Sequence, residues 1–168
     1  VDLEMIGRLS KKHNLIFNVD NCFATPSLQS PIEYGADLVV HSATKFMDGQ
    51  GRVLGGIVVG REDLIKEVRF FCRQTGPSLS PFNAWTLTKS LETLELRMEK
   101  HSANALKLAE TLEKSPYYKR VNYPYLPSHT QHELAKKQMK TGGAIVTIEL
   151  EGGFPRVASF MKHIKIAS

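Results

Sequence analysis

Apolar and polar positions alternate in two different ways along the first 75 residues of the chain. Leu3, Ile6 and Leu9 recur at three-residue spacing, which predicts a short amphipathic helix. Short apolar runs bounded by polar residues or glycines instead predict buried strands. The predicted strands lie at 15–20, 37–41 and 55–60, and the predicted helices at 2–13 and 62–74, with a helical turn at 31–34. This alternation indicates a parallel α/β sheet covered by helices.

The pattern changes in the second half of the chain. Apolar residues at helical spacing predict one long helix over 80–114, with Pro81 in its first turn. The later predicted elements are a strand at 120–123, a helix at 131–140, a strand at 143–150 and a helix at 155–163. We therefore expect residues 1–114 to form part of a large α/β domain that ends in a bridging helix. Residues 115–168 are expected to begin a small α+β domain.

Composition places the chain among globular proteins. Hydrophobic residues make up 42% and charged residues 23% of the 168 residues, close to the average for folded domains. This balance excludes a disordered tail, a collagen-like fibre and a disulfide-dense miniprotein. No apolar run approaches the ~20 residues that span a bilayer. No secretory signal opens the chain either, so no membrane partner is expected.

Charge and cysteine content narrow the possible partners. The net charge is +5, but the basic residues are scattered among acidic ones and form no run of five. Nucleic acid is therefore not an expected partner, whereas a phosphorylated or carboxylated small molecule fits this charge. Cys22 and Cys72 form no metal-type pair, which favours a reducing cytoplasm. Because the chain opens on Val1 and ends at Ser168 without a stop signal, we expect it to be a piece of a longer one.

Candidate chemistry lies where two predicted strands end. The first strand ends at Asp20, and the second leads into Ser42, Thr44 and Lys45. Ligands of open parallel sheets bind at the carboxyl ends of the strands, so Asp20 and Lys45 are expected to face one cavity.

An acid, a lysine and two hydroxyls together suit one cofactor. Lys45 can form an imine with an aldehyde, Ser42 and Thr44 can donate to phosphate oxygens, and Asp20 can keep a ring nitrogen protonated. Aldehyde, phosphate and ring nitrogen are the three functional groups of pyridoxal phosphate. Taken singly, however, each residue also has an ordinary explanation as a solvated lysine, a turn-forming aspartate or a loop hydroxyl.

Four segments resemble the Cys/Met-metabolism family of pyridoxal-phosphate enzymes. They are Val19–Pro26, Gly35–Phe46, Gly76–Trp85 and Leu96–His101, and the resemblance extends over essentially the whole chain. It implies the fold of type I pyridoxal-phosphate enzymes, with this chain covering the later part of the parallel-sheet cofactor domain and the start of the small C-terminal domain.

The resemblance also implies roles for individual residues. Lys45 would hold the cofactor covalently and carry protons, Asp20 would pair with the ring nitrogen, and Ser42 and Thr44 would bind the phosphate. It further implies residues outside this chain, namely an aromatic side chain that stacks on the ring, a tyrosine and an arginine from a neighbouring subunit, and an arginine for the substrate carboxylate. A homo-oligomer, as a dimer of dimers, would then complete the site, and this piece alone would be inactive.

Within the family, the loop Asp48–Gly56, Cys22 and the segment His129–Ala135 resemble the sulfhydrylases that act on O-succinylhomoserine. Such an enzyme replaces the γ-succinyl group with sulfide and gives homocysteine, a reaction of methionine biosynthesis. The alternatives are a cystathionine γ-synthase or a methionine or cystathionine γ-lyase of the same family. A non-enzymatic interaction module that has lost its catalytic parts is the alternative from a different class.

Other polar residues have competing interpretations. His41 either touches the site or is a strand-end histidine held by ordinary hydrogen bonds, and the second is favoured. Arg52 either meets a substrate carboxylate or stabilises its loop. Cys22, beside Asp20, either lies near the cofactor ring or is a small buried filler, and the second is favoured. His129 and His132 lack a third ligand, so no metal site is expected.

Overall fold

The computed structural model describes residues 1–165 of the chain. The predicted small domain, 115–168, therefore extends by three residues beyond the described part. The helices are α1 (Leu3–Lys12), α2 (Thr25–Leu28), α3 (Glu62–Thr75), α4 (Pro81–Leu91), α5 (Leu94–Glu113), α6 (His132–Gln138) and α7 (Gly153–His163). The strands are β1 (Asn18–Asp20), β2 (Leu38–Ser42), β3 (Gly56–Gly60), β4 (Arg120–Asn122) and β5 (Thr147–Glu149).

The first helix forms for the reasons that its sequence suggests. The Asp2 carboxylate accepts a hydrogen bond from the Met5 amide at 2.9 Å and caps α1. The inner face of α1 is buried at Leu3, Gly7 and Ser10. This face covers a small core that includes Val19 of β1 and Val39 of β2, so the helix fixes the inner side of the sheet.

The first strand is shorter than predicted. The apolar run from residue 15 predicts a strand over six positions, but β1 pairs with β2 only over Asn18–Asp20. The Phe17 amide donates instead to the Asp37 carboxylate at 2.8 Å, which ends the ladder. Leu15 and Ile16 remain exposed.

The three-stranded sheet is mixed rather than parallel. The strand order is β1-β2-β3, with β1 and β2 parallel and β2 and β3 antiparallel. The parallel direction expected for the third strand is therefore wrong. After β2 the chain makes a turn at Ala43–Met47 and returns through a short loop, without the helical crossover that a parallel neighbour requires.

The prediction of one continuous helix over 80–114 is also wrong. It is divided into α4 and α5 at Glu92 and Thr93. The Thr93 hydroxyl and the Arg97 guanidinium both donate to the Ser90 carbonyl, which accepts these bonds at the end of α4. No glycine or proline lies at this break, and the apolar spacing continues across it. The sequence pattern therefore gives no sign that the helix ends here. Ser80 caps α4 by accepting from the Asn83 amide, and Pro81 lies in the first turn as predicted.

The second region is built around the far end of α5. β4 and β5 form an antiparallel pair in which Val121 lies opposite Ile148. Tyr123 and Leu126 follow β4 and pack against Ala105 and Ala109 of α5 in a separate core. No helix within residues 1–165 is long and apolar enough to cross a membrane.

Candidate active site

Two strand ends form one edge of the sheet. Asp20 is the last residue of β1 and lies opposite Val40 of the parallel strand β2. Since parallel strands end at the same edge, Asp20 and the Ser42 end of β2 lie side by side. The structure thus brings the predicted carboxylate next to the segment that carries Ser42, Thr44 and Lys45.

Cys22 connects these two strand ends. Its amide donates to the Asp20 carboxylate at 3.0 Å, and its sulfur accepts a hydrogen bond from the Ser42 amide. A hydrogen bond from the Cys22 side chain, and then the one from its amide, lowers the pKa of Asp20. Asp20 is exposed, so an ionised carboxylate faces solvent at this edge. The expectation that Cys22 is only a buried filler is wrong, because its thiol contacts both strand ends.

Lys45 lies in the turn that directly follows the Ser42 end of β2. Burial, followed by contact with Asp20, raises the pKa of the Cys22 thiol, whereas the charge of Lys45 acts in the opposite direction. The Cys22 thiol is therefore within electrostatic range of both the Asp20 carboxylate and the Lys45 side chain. Lys45 is exposed, and its amine is accessible from solvent.

The turn that carries Lys45 has an unusual backbone. Ala43–Met47 form a wide helical turn, and Lys45 departs from helical geometry within it at φ −79° and ψ −125°. Ala43 and Met47 are buried and belong to a core with Leu87 of α4 and Met98 of α5. Both ends of the turn are thus anchored in the core while Lys45 points outwards.

The two hydroxyls that precede Lys45, on Ser42 and Thr44, differ in their hydrogen bonding. The Thr44 hydroxyl accepts from the Gly55 amide at 3.1 Å and donates to the Gly55 carbonyl at 3.4 Å. The second bond is long for an O–H donor, so the Thr44 hydrogen remains available to a better acceptor. Within residues 1–165 no hydrogen bond engages the Ser42 hydroxyl. Gly55, which the sequence did not single out as a site residue, therefore orients Thr44.

A buried ionic network lies directly after the lysine turn. The Asp48 side chain is fully buried and accepts from the Arg52 amide at 2.7 Å and from the Arg52 guanidinium at 3.0 and 3.2 Å. The Ser90 hydroxyl of α4 also donates to it at 3.3 Å. Burial raises the pKa of Asp48, but the hydrogen bonds and charge of Arg52 outweigh burial and lower it overall. Of the two interpretations of Arg52, the structure shows loop stabilisation.

Arg97 of α5 contacts the same turn from the other side. Its guanidinium donates to the Phe46 carbonyl at 2.7 Å, to the Met47 carbonyl at 3.1 Å and to the Ser90 carbonyl at 3.0 Å. The sequence did not single out Arg97 as a site residue, because these contacts join residues about fifty positions apart. The signals available were a charged residue within the apolar repeat of a helix and its place in the family-like segment Leu96–His101.

Of the histidines singled out from the sequence, His41 directly precedes Ser42 at this edge. His41 is buried in β2, where burial lowers the pKa of its imidazole. Its Nδ1 atom has no hydrogen-bond partner among the described residues. Across residues 1–165 no group of three His, Cys, Asp or Glu side chains is arranged to hold a metal ion, so His129 and His132 form no such cluster.

Comparisons with known proteins agree with the motifs. Residues 1–168 match the family described as Cys/Met metabolism PLP-dependent enzyme. The chain is 49% identical to the O-succinylhomoserine sulfhydrylase of Pseudomonas aeruginosa, over all of this chain and 42% of that protein. It is 43% identical to an L-methionine gamma-lyase of Fusobacterium nucleatum, over all of this chain and 43% of that protein.

The fold is likewise similar to that of solved structures. A cystathionine gamma synthase of Xanthomonas oryzae, in complex with cystathionine, superimposes with a TM-score of 0.96 at 37% identity. The alignment covers all of this chain and 44% of that chain. The chain therefore spans less than half the length of the relatives that it matches. The type I fold is confirmed.

Proposed function

Because the chain belongs to the family of Cys/Met metabolism PLP-dependent enzymes, we propose that its exposed sheet edge binds pyridoxal phosphate. Asp20, Ser42, Thr44 and Lys45 are the residues that would hold it. The donor set supports this proposal, because an ionised carboxylate, an amine and two hydroxyls with available hydrogens suit a ring nitrogen, an aldehyde and a phosphate. The single observation that carries the proposal is that Cys22 joins the two strand ends, since its amide donates to the Asp20 carboxylate and its sulfur accepts from the Ser42 amide.

Each residue of the proposed site has a distinct task. The low pKa of Asp20 keeps its carboxylate ionised near neutral pH, so it can accept a hydrogen bond from a protonated ring nitrogen. The Ser42 and Thr44 hydroxyls donate to phosphate oxygens. Lys45 has an accessible Nζ that can bond to an aldehyde carbon and later carry protons. When bound, pyridoxal phosphate acts as an electron sink that acidifies the Cα–H bond of an amino acid.

For the whole protein we propose γ-replacement on O-succinylhomoserine. Sulfide displaces the γ-succinyloxy group, so a C–S bond forms, the C–O bond breaks, and homocysteine and succinate are released. The 49% identity to an O-succinylhomoserine sulfhydrylase supports this assignment. Lys45 would move protons between the Cα and Cβ positions of the substrate.

Relatives with other activities give a second candidate. The methionine gamma-lyase is 43% identical, and the cystathionine gamma synthase has nearly the same fold. Elimination of the γ-group without sulfide addition, or replacement by cysteine, is therefore the alternative within the same proposed chemistry.

The full protein that contains these residues provides the test. It is supplied with O-succinylhomoserine and either sulfide or cysteine, and separately with methionine, and the products are separated by chromatography. We expect homocysteine from sulfide, and none with the Lys45→Ala variant. Cystathionine from cysteine alone would support a synthase, and methanethiol from methionine would support a lyase. Absence of any Lys45-dependent visible absorbance with the cofactor would instead favour the non-enzymatic module.

A further inference from the structure

The turn that carries Lys45 depends on a residue far away in the sequence. The backbone bonds within the turn run from the Asp48 amide to the Ala43 carbonyl at 2.9 Å and from the Gly49 amide to the Lys45 carbonyl at 2.8 Å. The next two carbonyls, those of Phe46 and Met47, accept from the Arg97 guanidinium. Both carbonyls directly after Lys45 are thus held by a single side chain of α5.

The Arg97 side chain is itself held in place by further hydrogen bonds. The Arg97 guanidinium also donates to the Ser90 carbonyl at 3.0 Å, and its Nε donates to the Thr93 hydroxyl at 3.2 Å. Arg97 therefore joins the lysine turn to both helices that pack beneath it. Charge-assisted bonds from one planar group restrict direction as well as distance, which a single ammonium group cannot do.

Gly49 provides the space for this guanidinium. A Cβ atom built on Gly49 would overlap the Arg97 Nη1 and Cζ atoms, and the Gly49 backbone has a φ of +70°, which favours glycine. The position of the Arg97 guanidinium thus requires that residue 49 has no side chain.

We propose that Arg97 is a positioning residue that sets the direction of the Lys45 amine, with Gly49 as its steric counterpart. The inference rests on the proposed cofactor role of Lys45 and adds a residue to that function. The hydrogen bonds from Arg97 to the Phe46 and Met47 carbonyls are here called the clamp. When the clamp is lost, these carbonyls have no partner, so the turn and the Lys45 side chain adopt a wider range of orientations. Bond formation with an aldehyde then slows, because the reactive geometry is populated less often.

The test separates positioning from binding and uses the full protein without cofactor. Wild type, Arg97→Met, Arg97→Lys, Gly49→Ala and the control Arg69→Met, an exposed arginine on α3, are mixed with pyridoxal phosphate. The rate of the visible absorbance change reports covalent bonding to Lys45. Affinity for pyridoxine 5'-phosphate, which has no aldehyde, reports binding alone.

We expect Arg97→Met and Gly49→Ala to bond between about tenfold and a hundredfold more slowly than wild type. Arg97→Lys is expected to retain part of the wild-type rate of bonding. The control Arg69→Met is expected to retain the full wild-type rate. Affinity for pyridoxine 5'-phosphate is expected to change less than about twofold. A variant that is merely misfolded would lose affinity for both compounds, and wild-type bonding rates in folded Arg97→Met and Gly49→Ala would overturn the inference.

Hydrogen exchange keeps this inference separate from the proposed function. In the cofactor-free protein, the amides of residues 44–49 are expected to exchange faster in Arg97→Met than in wild type or Arg69→Met. If wild type forms no Lys45-dependent absorbance, the cofactor proposal fails while the exchange still reports the clamp. Unchanged exchange in Arg97→Met would contradict the clamp whatever the cofactor result.

Discussion

At the scale of single residues, the site separates into groups that face solvent and groups that hold them. Asp20 and Lys45 could be selected from sequence as candidates, because Asp20 ends a predicted strand, Lys45 follows another, and their chemical types complement one cofactor. Cys22, Asp48 and Arg97 were not predictable as supports, since their roles depend on contacts between distant segments. A linear pattern shows which side chains carry charge, but not which of them meet.

The contact between Cys22 and Asp20 predicts a change in pH dependence. Cys22→Ala removes the largest cause of the low Asp20 pKa, so that pKa rises towards its ordinary value. Affinity for pyridoxine 5'-phosphate, measured by titration across acidic pH, should therefore fall at a higher pH than in wild type. Cys22→Ser keeps a donor and should resemble wild type, as should the control Cys72→Ala. An identical acid limb in Cys22→Ala would refute this role.

The buried Asp48 predicts a loss of stability. Asp48→Asn removes the charge that accepts from Arg52 and should lower the free energy of unfolding by about 2 kcal/mol at pH 7. Because the pKa of Asp48 is lowered by folding, its contribution exists above the unfolded value and disappears as pH falls through the folded value. Urea unfolding at pH 7 and below pH ~4 tests this, with the exposed Glu62→Gln as control. Equal losses at both pH values would count against it.

At the scale of elements, the sequence predicted where helices begin better than how strands pair. α1 was predictable because Asp2 caps an apolar repeat. The antiparallel direction of β3 was not, because it depends on the short return after the lysine turn, and an apolar run carries no direction. The break between α4 and α5 was missed because it depends on donors to the Ser90 carbonyl rather than on a helix-breaking residue.

Close packing of α1 predicts an unusual effect of alanine. Alanine normally favours a helix over glycine by about 1 kcal/mol. At Gly7, however, a Cβ atom would overlap the Tyr34 carbonyl oxygen. Gly7→Ala should therefore destabilise the protein by about 1–3 kcal/mol, because the helix must move away from the turn at Pro31–Tyr34. Thermal unfolding compared with Arg8→Ala, an exposed change on the same helix, tests this; a higher melting temperature would be the contrary outcome.

At the scale of the whole molecule, one buried hydroxyl joins the second region to α5. Tyr123 is almost fully buried, and its hydroxyl donates to the Gly143 carbonyl at 2.9 Å or the Ser102 carbonyl at 3.3 Å. Burial raises the pKa of Tyr123 to about 12, so the hydroxyl keeps its proton at neutral pH. The division of the chain near residue 115 stays a prediction, while this contact shows how the second region is attached.

This hydroxyl predicts a measurable contribution to stability. Tyr123→Phe leaves buried carbonyls without a donor and should cost about 1–2 kcal/mol in the free energy of unfolding. Tyr117→Phe, at an exposed position, should change it by less than about 0.5 kcal/mol. Urea denaturation of both variants in the full protein measures the difference, and equal stability of the two would argue against the role of this hydroxyl.

Uncovered aromatic side chains also mark this molecule. Phe70, Phe71, Phe82 and Trp85 on α3 and α4 are all more than half exposed. Phe82 and Trp85 lie next to each other, with ring centroids 5.9 Å apart, and exposed apolar surface is typical of contacts with further protein.

The unbroken helix α5 has a mechanical consequence. Near the start of α5, Arg97 donates to the turn that carries Lys45. Twelve residues later, about 18 Å along the helix axis, Ala109 is buried in the core that it forms with Tyr123 and Leu126. If the helix tilts as a rigid body by about 5° around Ala109, its Arg97 end moves by about 1.6 Å. Amino-acid replacements around Tyr123 and Leu126 that tilt the helix would in this way shift the turn that carries Lys45.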